Sequence, residues 1–149
     1  MRTREFRRAR NIMAYMALPH EVDTRRILQK ALRLKKNVFL PALSRARREI
    51  RIFQITDLKR DLAPGNYGIL EPRAGRCAAG RPSALDLVLV PGLGFDRRGA
   101  RLGHGKGYFD KFLKKVKRAK KIGIAFREQV LEKIPLERHD QRVERVITD

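Results

Sequence analysis

Leu85-Asp86-Leu87-Val88-Leu89-Val90-Pro91-Gly92 is the stretch on which the fold turns. Its apolar side chains fill both faces of an extended segment, as a central parallel strand requires, and Pro91-Gly92 stops it. Outward from there, apolar periodicity alternates between strand and helix types. On the N-terminal side, a basic helical stretch precedes the apolar run Ile12 to Leu18, read as a first strand ended by Pro19. Asp23 or Thr24 caps a helix with Ile27, Leu28, Ala31 and Leu32 on one face. Val38 to Leu40 reads as a short buried strand closed by Pro41. Ile50, Ile52 and Ile55 alternate with polar residues, as in a strand with one wet face. Residues 57–84, rich in Pro and Gly, are read as a short helix plus a long irregular connection. On the C-terminal side, Phe109, Phe112, Leu113 and Val116 recur at helical spacing, so a helix begins near Tyr108 or Phe109. Ile122 to Phe126 and Val146 to Thr148 supply further strands. This alternation predicts an α/β fold with a largely parallel sheet and helices packed on it.

The chain of 149 residues fits one domain spanning 1–149, and its 42% hydrophobic content is too high for a disordered tail. No apolar run approaches the roughly 18 residues of a membrane span. Met1-Arg2-Thr3-Arg4-Glu5 lacks the apolar core of a secretory signal. A single cysteine, Cys77, excludes an internal disulfide framework and a cysteine-rich zinc site. The expectation is a soluble, cytoplasmic, monomeric protein.

Its charge is unusual. The 36 Lys and Arg against 16 Asp and Glu give +20, spread over both halves of the chain. One segment stands out: Arg97 to Lys121 holds 11 basic residues and one acid, Asp110. A field of that sign attracts phosphates, carboxylates or nucleic acid. Lys114, Lys115, Lys117, Lys120 and Lys121 are read simply as solvated surface. RNA binding is the rival suggested by charge. Against it, the aromatics are few and not interleaved with the basic run as a stacking platform requires, so no specific nucleic acid is expected.

The chemistry-bearing block is Pro91-Gly92-Leu93-Gly94-Phe95-Asp96-Arg97-Arg98-Gly99-Ala100-Arg101-Leu102-Gly103-His104-Gly105-Lys106-Gly107-Tyr108-Phe109-Asp110. It joins the carboxyl end of a buried strand to a helix start, where open α/β sheets bind ligands. Gly103, Gly105 and Gly107 would let the backbone approach a ligand and present its N–H groups. The helix N-terminus adds roughly half a positive charge. Arg101 and Lys106 supply full charges at the loop's two ends, a combination that cradles a polyphosphate. Lys106 is followed by Gly107 rather than Ser or Thr, which excludes a P-loop. Tyr108 stands where a dinucleotide fingerprint needs its third glycine. Asp110 either favours the helix dipole or ligates the Mg²⁺ that accompanies a nucleotide.

Leu89 to Asp110 closely resembles the signature of the 5-formyltetrahydrofolate cyclo-ligase family, also called 5,10-methenyltetrahydrofolate synthetases. Glu21-Val22-Asp23-Thr24, Gly68-Ile69-Leu70-Glu71-Pro72 and His139-Asp140 with Val146-Ile147-Thr148 also look similar, in order, over nearly the whole chain. The resemblance implies a three-layer α/β/α fold and ATP-dependent cyclisation of 5-formyltetrahydrofolate to 5,10-methenyltetrahydrofolate through a phosphorylated formyl intermediate. It implies that Arg101, Leu102, Gly103, His104, Gly105, Lys106, Gly107, Tyr108 and Phe109 line the ATP phosphates, with Arg101 and Lys106 catalytic. His104 to Tyr108 would also border the folate. Glu21 would hydrogen-bond the pterin with Met16 packed beside it, and Asp110 and Asp140 would hold Mg²⁺. Read without the resemblance, Glu21 is a first-turn helix carboxylate, Met16 is core, and His139-Asp140 is an exposed polar turn. His104 stands where the family often has another residue and receives no catalytic role.

One departure is notable. The family begins with a helix carrying a Lys-x-x-Leu-Arg motif that contacts ATP, and this sequence starts after it. The expectation is that the chain binds ATP poorly and that an upstream helix would rescue binding. A non-catalytic folate-binding relative is accordingly the alternative from within the same fold.

Overall fold

The structure, a computed structural model, describes residues 3–44, 46–138 and 140–148, apart from the side chain of Tyr67. In chain order the elements are helix α1 (Arg4–Arg8), strand β1 (Asn11–Met13), helix α2 (Arg25–Arg33), and strands β2 (Asn37–Ser44), β3 (Glu49–Ile55), β4 (Leu62–Pro64), β5 (Leu70–Pro72), β6 (Leu87–Val90), β7 (Gly94–Asp96) and β8 (Arg101–Leu102). Helix α3 (Tyr108–Lys115) and strands β9 (Lys120–Ile124), β10 (Val130–Leu131) and β11 (Arg145–Ile147) complete them. The main sheet has the order β11-β9-β6-β1-β2-β3, parallel throughout except for the antiparallel β2–β3 pair.

Residues alternate strictly between its two faces. Ile12, Val38, Leu40, Leu87, Leu89, Ile122 and Ile124 pack with Phe6 of α1 and Leu28 and Ala31 of α2. Met13, Phe39, Val88 and Val90 pack on the other side with Phe112, Leu113 and Val116. Two cores separated by one sheet make the three-layer α/β/α architecture that the resemblance implies. The expected central strand is indeed central, and all four residues of β6 are buried. Asp86, the polar interruption in that apolar run, lies just before β6. Its carboxylate accepts the Arg10 and Asn11 N–H groups at 2.9 and 2.8 Å and fixes the start of β1.

Five expectations are corrected. The run Ile12 to Leu18 is strand only to Met13. The Ala14 N–H still reaches the Phe39 carbonyl (3.1 Å), after which the Thr24 hydroxyl donates to the Tyr15 carbonyl and draws the chain out of the sheet toward α2. Pro41 does not close β2, which continues to Ser44 with Pro41 opposite Ile52. The Ile52 carbonyl instead accepts from Gly80, so this is a non-bonded pair. The missing proline donor faces the β1 side, beyond the last β1 residue paired there, where no ladder bond is lost. In place of the short helix expected in 57–84 there are a turn after Asp57 and two three-residue 3-10 helices, Asn66–Gly68 and Pro82–Ala84. Asp57 accepts from Lys59 and Arg60 at 2.8 and 2.9 Å, and the chain then enters the β4–β5 hairpin. The strand expected at Ile122 to Phe126 runs two residues earlier, and that at Val146 to Thr148 one residue earlier.

Asp61 anchors this hairpin. Its buried carboxylate accepts the Thr56 and Asp57 N–H groups (2.7 and 2.9 Å), the Thr56 hydroxyl (2.9 Å) and Arg76 Nε (3.1 Å). The Thr56 backbone donor leads the effects that hold its pKa well below the usual carboxylate range, although burial opposes them. A depressed folded pKa stabilises above the unfolded value and is lost as pH falls through the folded one. Asp61→Asn should cost about 2 kcal/mol at pH 7. The gap between variant and wild type should shrink as urea unfolding is repeated below about pH 4. A gap that is constant with pH would refute the role.

Candidate active site

In the main sheet, β1 and β6 are neighbours whose chain continuations depart in opposite directions, β1 to β2 on one side and β6 to β9 on the other. Such a switch point opens a crevice at the carboxyl ends of the strands. Two segments leave those ends: residues 14–24 after β1 and the glycine block after β6.

They meet. The His20 and His104 rings lie 5.6 Å apart, tilted by 50°. Glu21 is buried, and its carboxylate accepts the Leu18 N–H at 2.9 Å. Ligand atoms of His20, Glu21 and His104 all fall within 4.8 Å of one another. Met16 is buried in the first core cluster. Tyr15 is also buried, its hydroxyl donating to the Val22 carbonyl (3.2 Å), and burial first, then the Glu21 and Asp23 charges, push its acidity far weaker. Gln129 holds the two segments together. Its Nε2 donates to the carbonyls of Gly92 (3.2 Å), Leu93 (3.3 Å) and His20 (3.5 Å), while its Oε1 accepts the Phe126 N–H (2.8 Å). The sequence reading missed both Gln129 and His20. Their roles come from long-range contacts that no local spacing encodes.

Arg101 is not an exposed charge at the loop's end. Its side chain is 5% exposed and lies beneath the loop, with Nη2 donating to Asp110 Oδ2 at 2.8 Å and Nη1 to the Pro91 carbonyl at 3.4 Å. The guanidinium also lies 5.6 Å from the Phe109 ring centre. Its Nε is buried without a protein acceptor among the described residues. Gly103 makes room for this arrangement, because a Cβ there would lie 2.7 Å from Arg101 Nη1. Gly105 and Gly107 are needed differently, having positive φ angles of 78° and 64° with open space where a Cβ would be. Gly107 is the N-cap of α3, so the helix starts at Tyr108, where the periodicity places it. Leu102, His104 and Lys106 are exposed, and Tyr108 and Phe109 are half-buried.

Asp110 sits in the first turn of α3. Besides receiving Arg101, it accepts the Gln141 N–H on Oδ1 at 3.2 Å. That bond brings the adjoining Asp140 into the neighbourhood of the block. Asp140 lies in a turn in which its Oδ2 accepts the Glu137 N–H (2.8 Å). Both the dipole role and the turn role are therefore visible. Two carboxylates on adjoining segments are also the oxygen donors a hard cation takes. His139 lies outside the described residues.

The sequence profile described as the 5-formyltetrahydrofolate cyclo-ligase family matches residues 1–149. The chain belongs to that family. It is 34% identical to a probable 5-formyltetrahydrofolate cyclo-ligase of Schizosaccharomyces pombe, over 97% of this chain and 77% of the relative. Identity to the mouse 5-formyltetrahydrofolate cyclo-ligase is 30%, over 96% and 75%. The solution structure of the Aquifex aeolicus 5,10-methenyltetrahydrofolate synthetase superposes with a TM-score of 0.84 at 33% identity, covering 99% of this chain and 72% of that one. A cyclo-ligase is an ATP-dependent ligase acting on a folate, so family membership decides the function class that charge alone left open. No helix among the described residues is long and apolar enough to cross a membrane.

Proposed function

We propose that ATP and 5-formyltetrahydrofolate meet in the crevice between residues 16–21 and the glycine block. There the chain closes the folate to 5,10-methenyltetrahydrofolate and releases ADP and phosphate. The observation carrying this reading is the convergence of Glu21 with His104 at the switch point, in a chain of the cyclo-ligase family. The formyl oxygen takes the γ-phosphoryl group as the bond to ADP breaks. The neighbouring folate nitrogen then attacks the formyl carbon, the carbon–oxygen bond breaks, and the departing phosphate takes up that nitrogen's proton. Phosphoryl transfer of this kind needs positioning and charge more than a protein nucleophile.

In this assignment residues 101–109 line the phosphates. Lys106 reaches them from the exposed loop, and Arg101, paired with Asp110, lies buried beneath it. His104 to Tyr108 border the folate as well. Glu21, oriented by Leu18, accepts from the pterin, and Met16 packs beside it. Asp110 and Asp140 would hold Mg²⁺, which neutralises phosphate charge when bound. The setting proposed is the cytoplasm and the active unit a monomer.

The test is the rise of methenyltetrahydrofolate absorbance on mixing protein, 5-formyltetrahydrofolate, Mg²⁺ and ATP. Glu21→Gln keeps an acceptor for Leu18 but removes the charge. It should raise KM for the folate roughly tenfold or more at an unchanged melting temperature, the value of a charge-assisted hydrogen bond. Binding of the folate without any turnover would favour the non-catalytic relative.

A further inference from the structure

We propose that His20, Glu21 and His104 form a binding site for a divalent transition ion of the zinc class, and that filling it excludes 5-formyltetrahydrofolate. The second half rests on the assignment of Glu21 to the pterin. Two imidazoles and a carboxylate are a ligand set zinc takes, with a fourth position left to solvent. Their ligand atoms lie within 4.8 Å of one another. A tetrahedral ion with bonds of about 2.1 Å needs them about 3.4 Å apart. The contraction falls on His104, an exposed side chain between Gly103 and Gly105. The rings are tilted by 50° rather than stacked face to face. The other half of the site is fixed: Leu18 orients the Glu21 carboxylate, and Gln129 ties the His20 carbonyl to the loop after β6.

This donor set differs in kind from Asp110 and Asp140. Mg²⁺ takes oxygen ligands and sheds water reluctantly, whereas imidazole suits zinc, cobalt and nickel. A transition ion would therefore fill the trio in the presence of Mg²⁺. Once bound, it engages the Glu21 carboxylate and bridges the two segments that frame the crevice.

Cobalt(II) titration of the intact chain without substrates, followed by its visible absorption and by displacement with zinc, tests the site. One equivalent should bind in excess Mg²⁺. His20→Ala and His104→Ala, both at exposed positions, should each weaken it by at least roughly tenfold, a loss that even removal of an outer-sphere partner can produce. Binding unchanged in both variants would overturn the site. Adding 5-formyltetrahydrofolate should weaken cobalt binding in wild type. Cobalt held at the trio with an affinity the folate leaves unaltered would overturn the competition while the site stands.

Discussion

Arg101→Ala should lower the rate of methenyltetrahydrofolate formation by roughly 10²–10³-fold, as loss of a preorganised charge donor does. The same substitution should cost about 3 kcal/mol of stability, because it strands a buried carboxylate. The pair is 2.8 Å long, with Arg101 5% and Asp110 14% exposed, so solvent compensates little. Three variants separate the two effects. Arg101→Ala with Asp110→Ala should be no less stable than Arg101→Ala alone, since the stranded charge is gone, yet it should stay inactive. Arg101→Lys restores charge but not the guanidinium fork and should recover only part of the rate. Urea unfolding and initial rates on the set are the measurements. Arg101→Ala with wild-type stability and wild-type rate would sink the assignment.

Gly99→Ala should destabilise by about 3–5 kcal/mol, combining a left-handed backbone with overpacking. Gly99 has φ +82°, and a Cβ there would lie 2.0 Å from the Val143 carbonyl oxygen, a backbone atom without freedom to move aside. The neighbourhood is tightly bonded. Gly99 N–H donates to the Asp96 carbonyl (3.0 Å), and Val143 N–H donates to the Gly99 carbonyl (2.8 Å). Asp96 accepts the Arg98 and Ala100 N–H groups, both at 2.9 Å, and that of Ile134 at 3.2 Å. This contact holds the C-terminal segment whose Gln141 bonds Asp110 and whose Asp140 is the second proposed cation ligand. The variant should therefore lose activity as well as about 10–15 °C of melting temperature. Gly75→Ala is the control, because a Cβ there meets nothing within 4 Å and Gly75 lacks a positive φ. Near-equal melting of the two variants would refute the argument.

Much of this molecule is written locally. Leu87 to Val90 could only be a strand buried on both faces, and Gly107 before Phe109, Phe112, Leu113 and Val116 could only open an amphipathic helix. Pro41 was misleading because a proline ends a strand only where its missing donor faces a partner. Which side it faces depends on the length of β1 and on the Gly80 bond to Ile52. The glycine block announced a phosphate loop, but not that Gly103 serves a buried arginine rather than a ligand.

By itself the sequence determined the alternation of elements, the start of α3 and the family, because periodicity, glycine at positive φ and a long contiguous motif are properties of neighbouring residues. Only the tertiary structure decided that Arg101 and Asp110 neutralise each other, that Gln129 ties two loops, and that His20 and Glu21 meet His104. The last two depend on strand order, which places the ends of β1 and β6 side by side. Charges and ligand atoms brought together from distant parts of the chain interact through distance and burial, and neither is encoded in spacing along it.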